Sequence, residues 1–323
     1  MKRKLLEILV CTKCGGTLEA NAATEDLDEG YLGCVECATR FPVTNGIPRF
    51  VEPDNYASSF GYQWNLFRKE QLDTYNGTTL SADRLWSETG WATEELKGKW
   101  VLDAGCGAGR FLDAASASDG EIVGIDISSA IDAAKANLEG RDNVHFIQAS
   151  IYELPFRPGA FDFCYCIGVI QHTPDTAESL RAVAEKVRPG GKFAVTIYPR
   201  KPWTKLFAKY WLRPVTKRFK KETLLNLIQT VMPVAFPVTG VLFRIPKLGR
   251  VFSFTIPIAN YVHEKQLSRD QRYAWAILDT FDMLSPYYDQ PMTEGEARDA
   301  LKNSKISLDR TDRNGLNLIG IKS

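Results

Sequence analysis

Twelve residues, Trp100 to Phe111, limit what this chain can fold into more than any others: W-V-L-D-A-G-C-G-A-G-R-F. They read as a short buried strand, a glycine turn and the first turn of a helix. Gly105, Gly107 and Gly109 alternate through the turn. A strand-to-helix turn this tight needs φ values and close backbone approaches that a Cβ would block. The helix start behind it offers free N–H groups and a partial positive charge to a ligand carboxylate. Asp126, seventeen residues beyond Gly109, ends a second strand-like stretch, V-G-I-D-I. An acid there faces the same crevice and can accept hydrogen bonds from ribose hydroxyls.

The stretches Lys99–Ala104, Glu121–Asp126, Val144–Gln148, Phe161–Gly168 and Lys192–Tyr198 read as strands. Helical patterns fill the gaps, notably Ser128–Leu138 and Asp175–Val187. Alternation of this kind predicts a parallel sheet with helices on both faces and a ligand outside the carboxyl ends of its strands. Further on, Arg269–Leu284 reads as a helix and Thr293 caps another running to about Lys302.

The spacing of the glycines departs from the G-x-G-x-x-G of dinucleotide-binding folds, with the third glycine one residue early. V-L-D-A-G-C-G-A-G-R-F resembles motif I of class I S-adenosylmethionine (SAM)-dependent methyltransferases, the quinone-biosynthesis and natural-product group in particular. The resemblance continues through V-G-I-D-I-S, F-I-Q-A-S-I-Y-E-L-P-F, F-D-F-C-Y-C-I-G-V-I-Q-H-T-P-D and V-R-P-G-G-K-F-A-V, over roughly residues 99–198. It implies an α/β, Rossmann-like, doubly wound and mostly parallel seven-stranded sheet. I-S-L-D-R and L-N-L-I-G-I-K supply its closing antiparallel hairpin.

The resemblance also implies site residues. Asp103, Gly105, Gly107 and Gly109 are expected to hold the methionine part of SAM, and Asp126 with Ile127 the ribose. Ser150 stands where relatives often carry an acid for the adenine amine, so the backbone of Ile151 is expected to compensate. Cys166 lies at the end of the fourth strand. Tyr56, Phe60, Gln63 and Trp64, in an aromatic-rich segment, are expected to close over the cofactor. His172, just past the fourth strand, is the candidate general base, since an imidazole titrates near neutrality. Tyr198, Asp282, Tyr287, Tyr288 and Asp289 are further candidates on neighbouring loops.

The first 52 residues carry C11-T-K-C14 and C34-V-E-C37, nineteen residues apart, the spacing of a structural zinc site closed by four thiolates. So short a segment buries little core, and a metal staples it. It resembles the zinc ribbons that activate tRNA methyltransferases. A helical linker and lid at 53–98, the SAM-binding core at 99–198 and a C-terminal part of the core at 264–323 complete the expected division.

Residues 199–263 break the strand–helix pattern. They hold twelve Lys and Arg against the single acid Glu222, whereas the whole chain carries a formal charge of +1. Seven prolines and runs such as V-M-P-V-A-F-P-V suggest short amphipathic helices capping the acceptor site. Charge and apolarity together point to a lipid-like or anionic small-molecule acceptor, with peripheral membrane contact through this segment. An RNA acceptor gripped by ribbon and insertion is the alternative, and a non-enzymatic SAM-binding partner is another. A homodimer is one expected oligomeric form. No apolar run reads as long enough to span a membrane, Glu7 interrupts the apolar start, and a reducing, cytoplasmic setting is expected.

Overall fold

The computed structural model describes residues 1–21, 26–52, 55–311 and 316–323. The start of the linker, at 53–54, lies outside the described residues.

The ribbon is a four-stranded antiparallel sheet: β1 (Leu18–Ala20), β2 (Gly30–Cys34), β3 (Arg40–Thr44) and β4 (Ile47–Pro48). Three short helices follow: α1 (Ser58–Leu66), α2 (Asp73–Asn76) and α3 (Leu80–Thr89). The core then alternates as its sequence pattern dictates. β5 (Trp100–Ala104), α4 (Arg110–Ala115), β6 (Glu121–Asp126), α5 (Ala130–Asn137) and β7 (Val144–Gln148) build one half. β8 (Phe161–Ile167), α6 (Thr176–Lys186) and β9 (Val187–Ile197) build the other. After β9 come α7 (Ala208–Thr216), α8 (Lys221–Leu242) and α9 (Leu248–Thr255), then α10 (Arg269–Leu284), α11 (Glu294–Leu301), β10 (Ile306–Thr311) and β11 (Leu316–Lys322).

The main sheet is the expected seven-stranded one, in the order β10-β11-β9-β8-β5-β6-β7. β5 to β9 are parallel, and β11 joins β9 antiparallel. The reversal of strand order at β5 opens a crevice at the carboxyl edge, where Gly105, Asp126 and Gly168 all lie. β5 and β6 are almost wholly buried, which is why they read as near-continuous apolar runs. β9 begins five residues earlier than its apolar pattern: Val187 already pairs with Phe161 of β8, and the pairing resumes at Lys192 after an irregularity that contains Gly190 at φ +73°.

The ribbon is no free appendage. Leu5, Leu9, Leu32, Phe41 and Phe50 share one buried cluster with Ile147, Phe156 and Phe161 of the core. Phe50 N–H donates to Gln148 O of edge strand β7 (2.8 Å), and Val10 N–H to Pro155 O (2.9 Å). Among the described residues five ion pairs cross the seam: Lys2–Asp142, Lys4–Glu121, Lys13–Glu153, Asp28–Lys135 and Arg49–Asp132.

The insertion departs from its sequence reading. Between the short helices α7 and α9, which match the expectation, it holds α8, one continuous 22-residue helix with Pro233 and Pro237 inside it. The prolines read as breaks, yet both face solvent, and the helix tolerates them. By length and composition α8 is long enough to cross a membrane, which corrects the expectation that no segment is. One face of it is already occupied, however: Leu224, Leu225, Ile228, Met232 and Phe236 pack with Ile277 and Phe281 of α10.

Phe156 marks the seam between ribbon and core. It is 1% exposed and stacks edge-on to Phe161, with ring centroids 4.8 Å apart. Phe156→Ala should cost about 3–5 kcal/mol in denaturant unfolding and open the ribbon to protease. Unchanged stability with an intact protease pattern would show that the shared cluster does not hold the ribbon.

Candidate functional site

The crevice deepens into a cavity of about 830 Å³. The glycine turn forms one wall. Gly105 has φ of +91°, and a Cβ there would meet Val169 at 2.4 Å. Gly107 has φ of +54° and sits under the Trp64 indole, 3.3 Å from where its Cβ would be. Glycine is required at both positions by conformation, and at Gly105 by space as well.

Asp126 lies across from this turn and lines the cavity. Its carboxylate accepts from Gly107 N–H (3.0 Å), Ser128 N–H (2.8 Å) and Ser128 Oγ (2.7 Å). Burial raises its pKa, and these donors counteract the rise. Three donors leave about one of its four acceptor positions free for a ligand hydroxyl.

Of the expected cofactor residues, Gly105, Gly107, Asp126, Ile127 and Tyr56 line the cavity, joined by Phe60 and Trp64 of the aromatic segment. The others do not. Asp103 is 1% exposed, beneath the turn, and burial pushes its carboxyl well above the usual range. Gly109 faces Leu138 and Ala134 of the α5 region. Ser150 Oγ accepts from Tyr152 N–H, and Ile151 is packed into the core. Cys166 is fully buried on β8. Gln63 is fully buried in α1, behind its cavity-facing neighbours.

His172 also lines the cavity. Its Nδ1 donates to the Tyr288 carbonyl (3.0 Å), which leaves Nε2 as the unprotonated nitrogen, with no partner. Phe60 and Tyr198 flank the ring, at centroid distances of 5.3 and 5.6 Å. Burial lowers the His172 pKa, with Asp282 and Asp289 pulling the other way. The Tyr288 carbonyl that orients the imidazole also accepts from Arg213 Nη2 (2.9 Å), and Arg213 pairs with Asp289. The insertion therefore helps fix the histidine. Asp282 and Asp289 line the cavity with Tyr198, whereas Tyr287 is exposed and Tyr288 contributes its carbonyl.

Several charged residues escaped the sequence reading, Glu264 of the cavity wall among them. Arg84 and Arg110 both line the cavity beside the glycine turn. Arg110 donates to Ser81 Oγ (2.9 Å) and Gln71 Oε1 (3.0 Å), and burial lowers its pKa to about 10. A cation directly after the glycine run was the available signal. Asp279, one turn before Asp282 on α10, is pushed up to about 7 by burial and by the Asp282 charge. Arg49, in the ribbon, donates to Gln148 Oε1 (2.7 Å), and Gln148 Nε2 donates to the Ile127 carbonyl (3.1 Å). No local pattern marked Arg49 or Asp279.

The four ribbon cysteines meet as the spacing predicts. All four sulfurs lie within 4.8 Å of one another, with Cys11–Cys37 at 3.7 Å and Cys14–Cys34 at 3.4 Å. Zinc–sulfur bonds of about 2.3 Å in a tetrahedron place sulfurs about 3.8 Å apart, so the set fits a four-thiolate zinc.

Sequence comparison agrees with this geometry. Residues 102–195 match the methyltransferase domain family, and residues 2–46 match the family of Trm112p-like proteins. The core of this chain is thus similar to methyltransferase domains, and the ribbon at its N-terminal side to Trm112p-like proteins. The chain is 36% identical over 118 residues to a ubiquinone biosynthesis O-methyltransferase of Marinobacter nauticus, covering 35% of this chain and 50% of that protein. It is 33% identical over 128 residues to the Saccharophagus degradans protein of the same description, covering 39% and 54%. It spans about half the length of these curated relatives. A solved SAM-dependent methyltransferase from Aquifex aeolicus aligns over 82% of this chain and 98% of its own, at 12% identity and TM-score 0.42.

Purified protein should contain one zinc per chain, and Cys14→Ser should abolish it. Because ribbon and core share a buried cluster, metal loss should lower the melting temperature of the whole chain. Elemental analysis without zinc, or a core transition unmoved by chelation, would contradict this.

Proposed function

We propose that this protein transfers a methyl group from SAM to a small-molecule or lipid-like acceptor held under the 199–263 insertion. One observation carries the reading: a single cavity is lined both by the glycine turn with Asp126 and by Trp203, Phe207 and Phe254 of the insertion. Its volume suits small ligands, and most of its lining residues are apolar or aromatic.

The residues present fit SAM. Asp126 would take a ribose hydroxyl, the turn backbone would lie along the methionine part, and Arg84 and Arg110 would face its carboxylate. Trp64, Tyr56 and Phe60 would cover the ligand and exclude water. When bound, SAM supplies an electrophilic methyl, so the protein's task is alignment and, where the acceptor needs it, proton removal. His172 is the base in this proposal, with Nε2 free to accept the acceptor's proton. The Tyr288 carbonyl keeps the tautomer, and the Asp282 and Asp289 charges stabilise the imidazolium formed. Cys106 also lines the cavity, but burial raises its pKa well above the ordinary value and holds it as a thiol.

The ribbon's place in this scheme is structural, through the Arg49–Gln148–Ile127 hydrogen bonds that brace the strand end carrying Asp126.

Asp126→Ala should weaken SAM binding by about 1–3 kcal/mol in a calorimetric titration, with the fold retained by melting curve. An unchanged isotherm would remove Asp126 from the cofactor site.

His172 is expected to stay neutral to below the ordinary histidine value of 6.5, since burial favours the uncharged form. Turnover should therefore hold as pH falls through 6.5 and decline only below it, and His172→Ala should lose that acid limb with at least a tenfold lower rate. A variant with normal turnover and the same pH profile would exclude His172 as the base.

A further inference from the structure

We infer that the outer face of the insertion is a docking surface for an anionic lipid bilayer. The inference starts from α8. Its inner face is spent on α10, yet its outer face is apolar too: Leu227, Val231, Val234, Val238 and Val241 are each 46–69% exposed. They recur at steps of four and three, so they form one stripe along the helix. Between Asn226 and Leu242 there is no charged residue at all. The helices on either side of α8 in sequence are exposed and apolar as well: Trp211 and Val215 of α7 are 70% and 57% exposed, and Leu248 and Val251 of α9 are 52% and 54%. Isolated exposed apolar side chains are ordinary, but a contiguous stripe signals a contact surface.

Charge selects the occupant. Lys205, Arg218, Lys220, Lys221, Lys247 and Arg250 flank these helices in sequence, and none has an ion-pair partner among the described residues. Lys220 and Lys221 stand at the N-terminus of α8, where the helix dipole opposes a cation. Helix stability does not explain them, whereas an anionic surface does. Apolar residues that enter the headgroup boundary, with cations beside them, are the pattern of an interfacial helix. The inner packing of α8 on α10 keeps it from crossing the bilayer without unfolding the cap, so it lies along the surface. A nucleic acid would use the cations and leave the stripe in water. A second copy of the chain would cover the stripe and bring its own cations against these.

Docking there also gives an acceptor a route. Lys201, Trp203, Thr204 and Phe207, in the segment leading into α7, line the cavity, and Trp203 is 54% exposed. An amphiphile leaving the bilayer would meet the cavity wall directly. This route rests on the proposed methyl transfer; the docking itself does not.

The test uses the full chain and sedimentation with vesicles of phosphatidylcholine alone or mixed with phosphatidylglycerol. The protein should pellet with the anionic vesicles, stay in the supernatant with neutral ones, and be released by salt, which screens exposed charges. Val234→Asp with Val238→Asp should lower the bound fraction at least tenfold with melting curve and SAM titration unchanged. Lys220→Glu with Lys221→Glu should lower it and flatten the salt dependence. Protein that remains in the supernatant with both vesicle types overturns the inference. So does a dimer by light scattering that the Val234/Val238 variant splits, or retention on RNA without vesicle binding. Because SAM titration is read separately, failure of docking and failure of the methyltransferase reading are told apart.

Discussion

The contact on which the rest depends is the approach of the β5–α4 turn to the loop after β8. Gly105 packs so close to Val169 that no other residue fits, and Gly107 N–H is held by Asp126 at the end of β6. Three strand ends are thereby locked at one point: β5 by its turn, β8 by Val169 and β6 by the carboxylate. The cavity exists because these ends are fixed while the sheet order reverses there. His172 lies three residues beyond Val169, and its backbone N–H bonds back to the Val169 carbonyl (2.8 Å). Cofactor wall and candidate base are thus set by the same turn.

The ribbon extends that constraint from the other side. A chain of hydrogen bonds runs from Arg49 through Gln148 to the Ile127 carbonyl, beside Asp126, and Asn55 Nδ2 donates to the same carbonyl (3.0 Å). Arg49 also pairs with Asp132 at the start of α5. The ribbon therefore braces both the strand end and the helix that follow motif I. A four-thiolate metal closes its coordination sphere and offers no chemistry of its own. Bound there, it would keep about fifty residues rigid enough to carry this brace, and the shared buried cluster would pass that rigidity to the core.

The sequence made the sheet legible because buried parallel strands leave a run of apolar residues with sharp ends. Glu121–Asp126 and Val144–Gln148 fall where the pattern puts them, and Ser268 and Thr293 cap their helices through Gln271 and Glu296. Local chemistry writes these signals. The site was legible only where it is local too. Gly105, Gly107, Asp126 and His172 sit in motifs and do line the cavity. Asp103 and Cys166 sit in the same motifs yet face the interior, because neighbouring strand residues alternate sides. Arg84 and Asp279 are brought to the cavity by helices distant in sequence, and no spacing announces that. In the insertion, proline misled: Pro233 and Pro237 look like breaks, but a helix already held by packing on α10 keeps its course through them.

The insertion's excess charge divides in a way its composition conceals. Lys209 and Arg213 are consumed internally, both pairing with buried Asp289, and Arg213 also ties the 286–288 backbone in place. The cavity lining itself is mixed in charge: Arg84, Arg110, Lys201 and Lys209 stand with Asp126, Glu264, Asp279, Asp282 and Asp289. The unpaired cations belong to the outside of the fold instead, close in sequence to the apolar stripe. On the proposed reading the requirements separate: the surface meets something negative and oily, while the cavity holds an acceptor with a proton to lose near the His172 imidazole. On that reading, a lipid-like acceptor leaving an anionic bilayer would satisfy both at once.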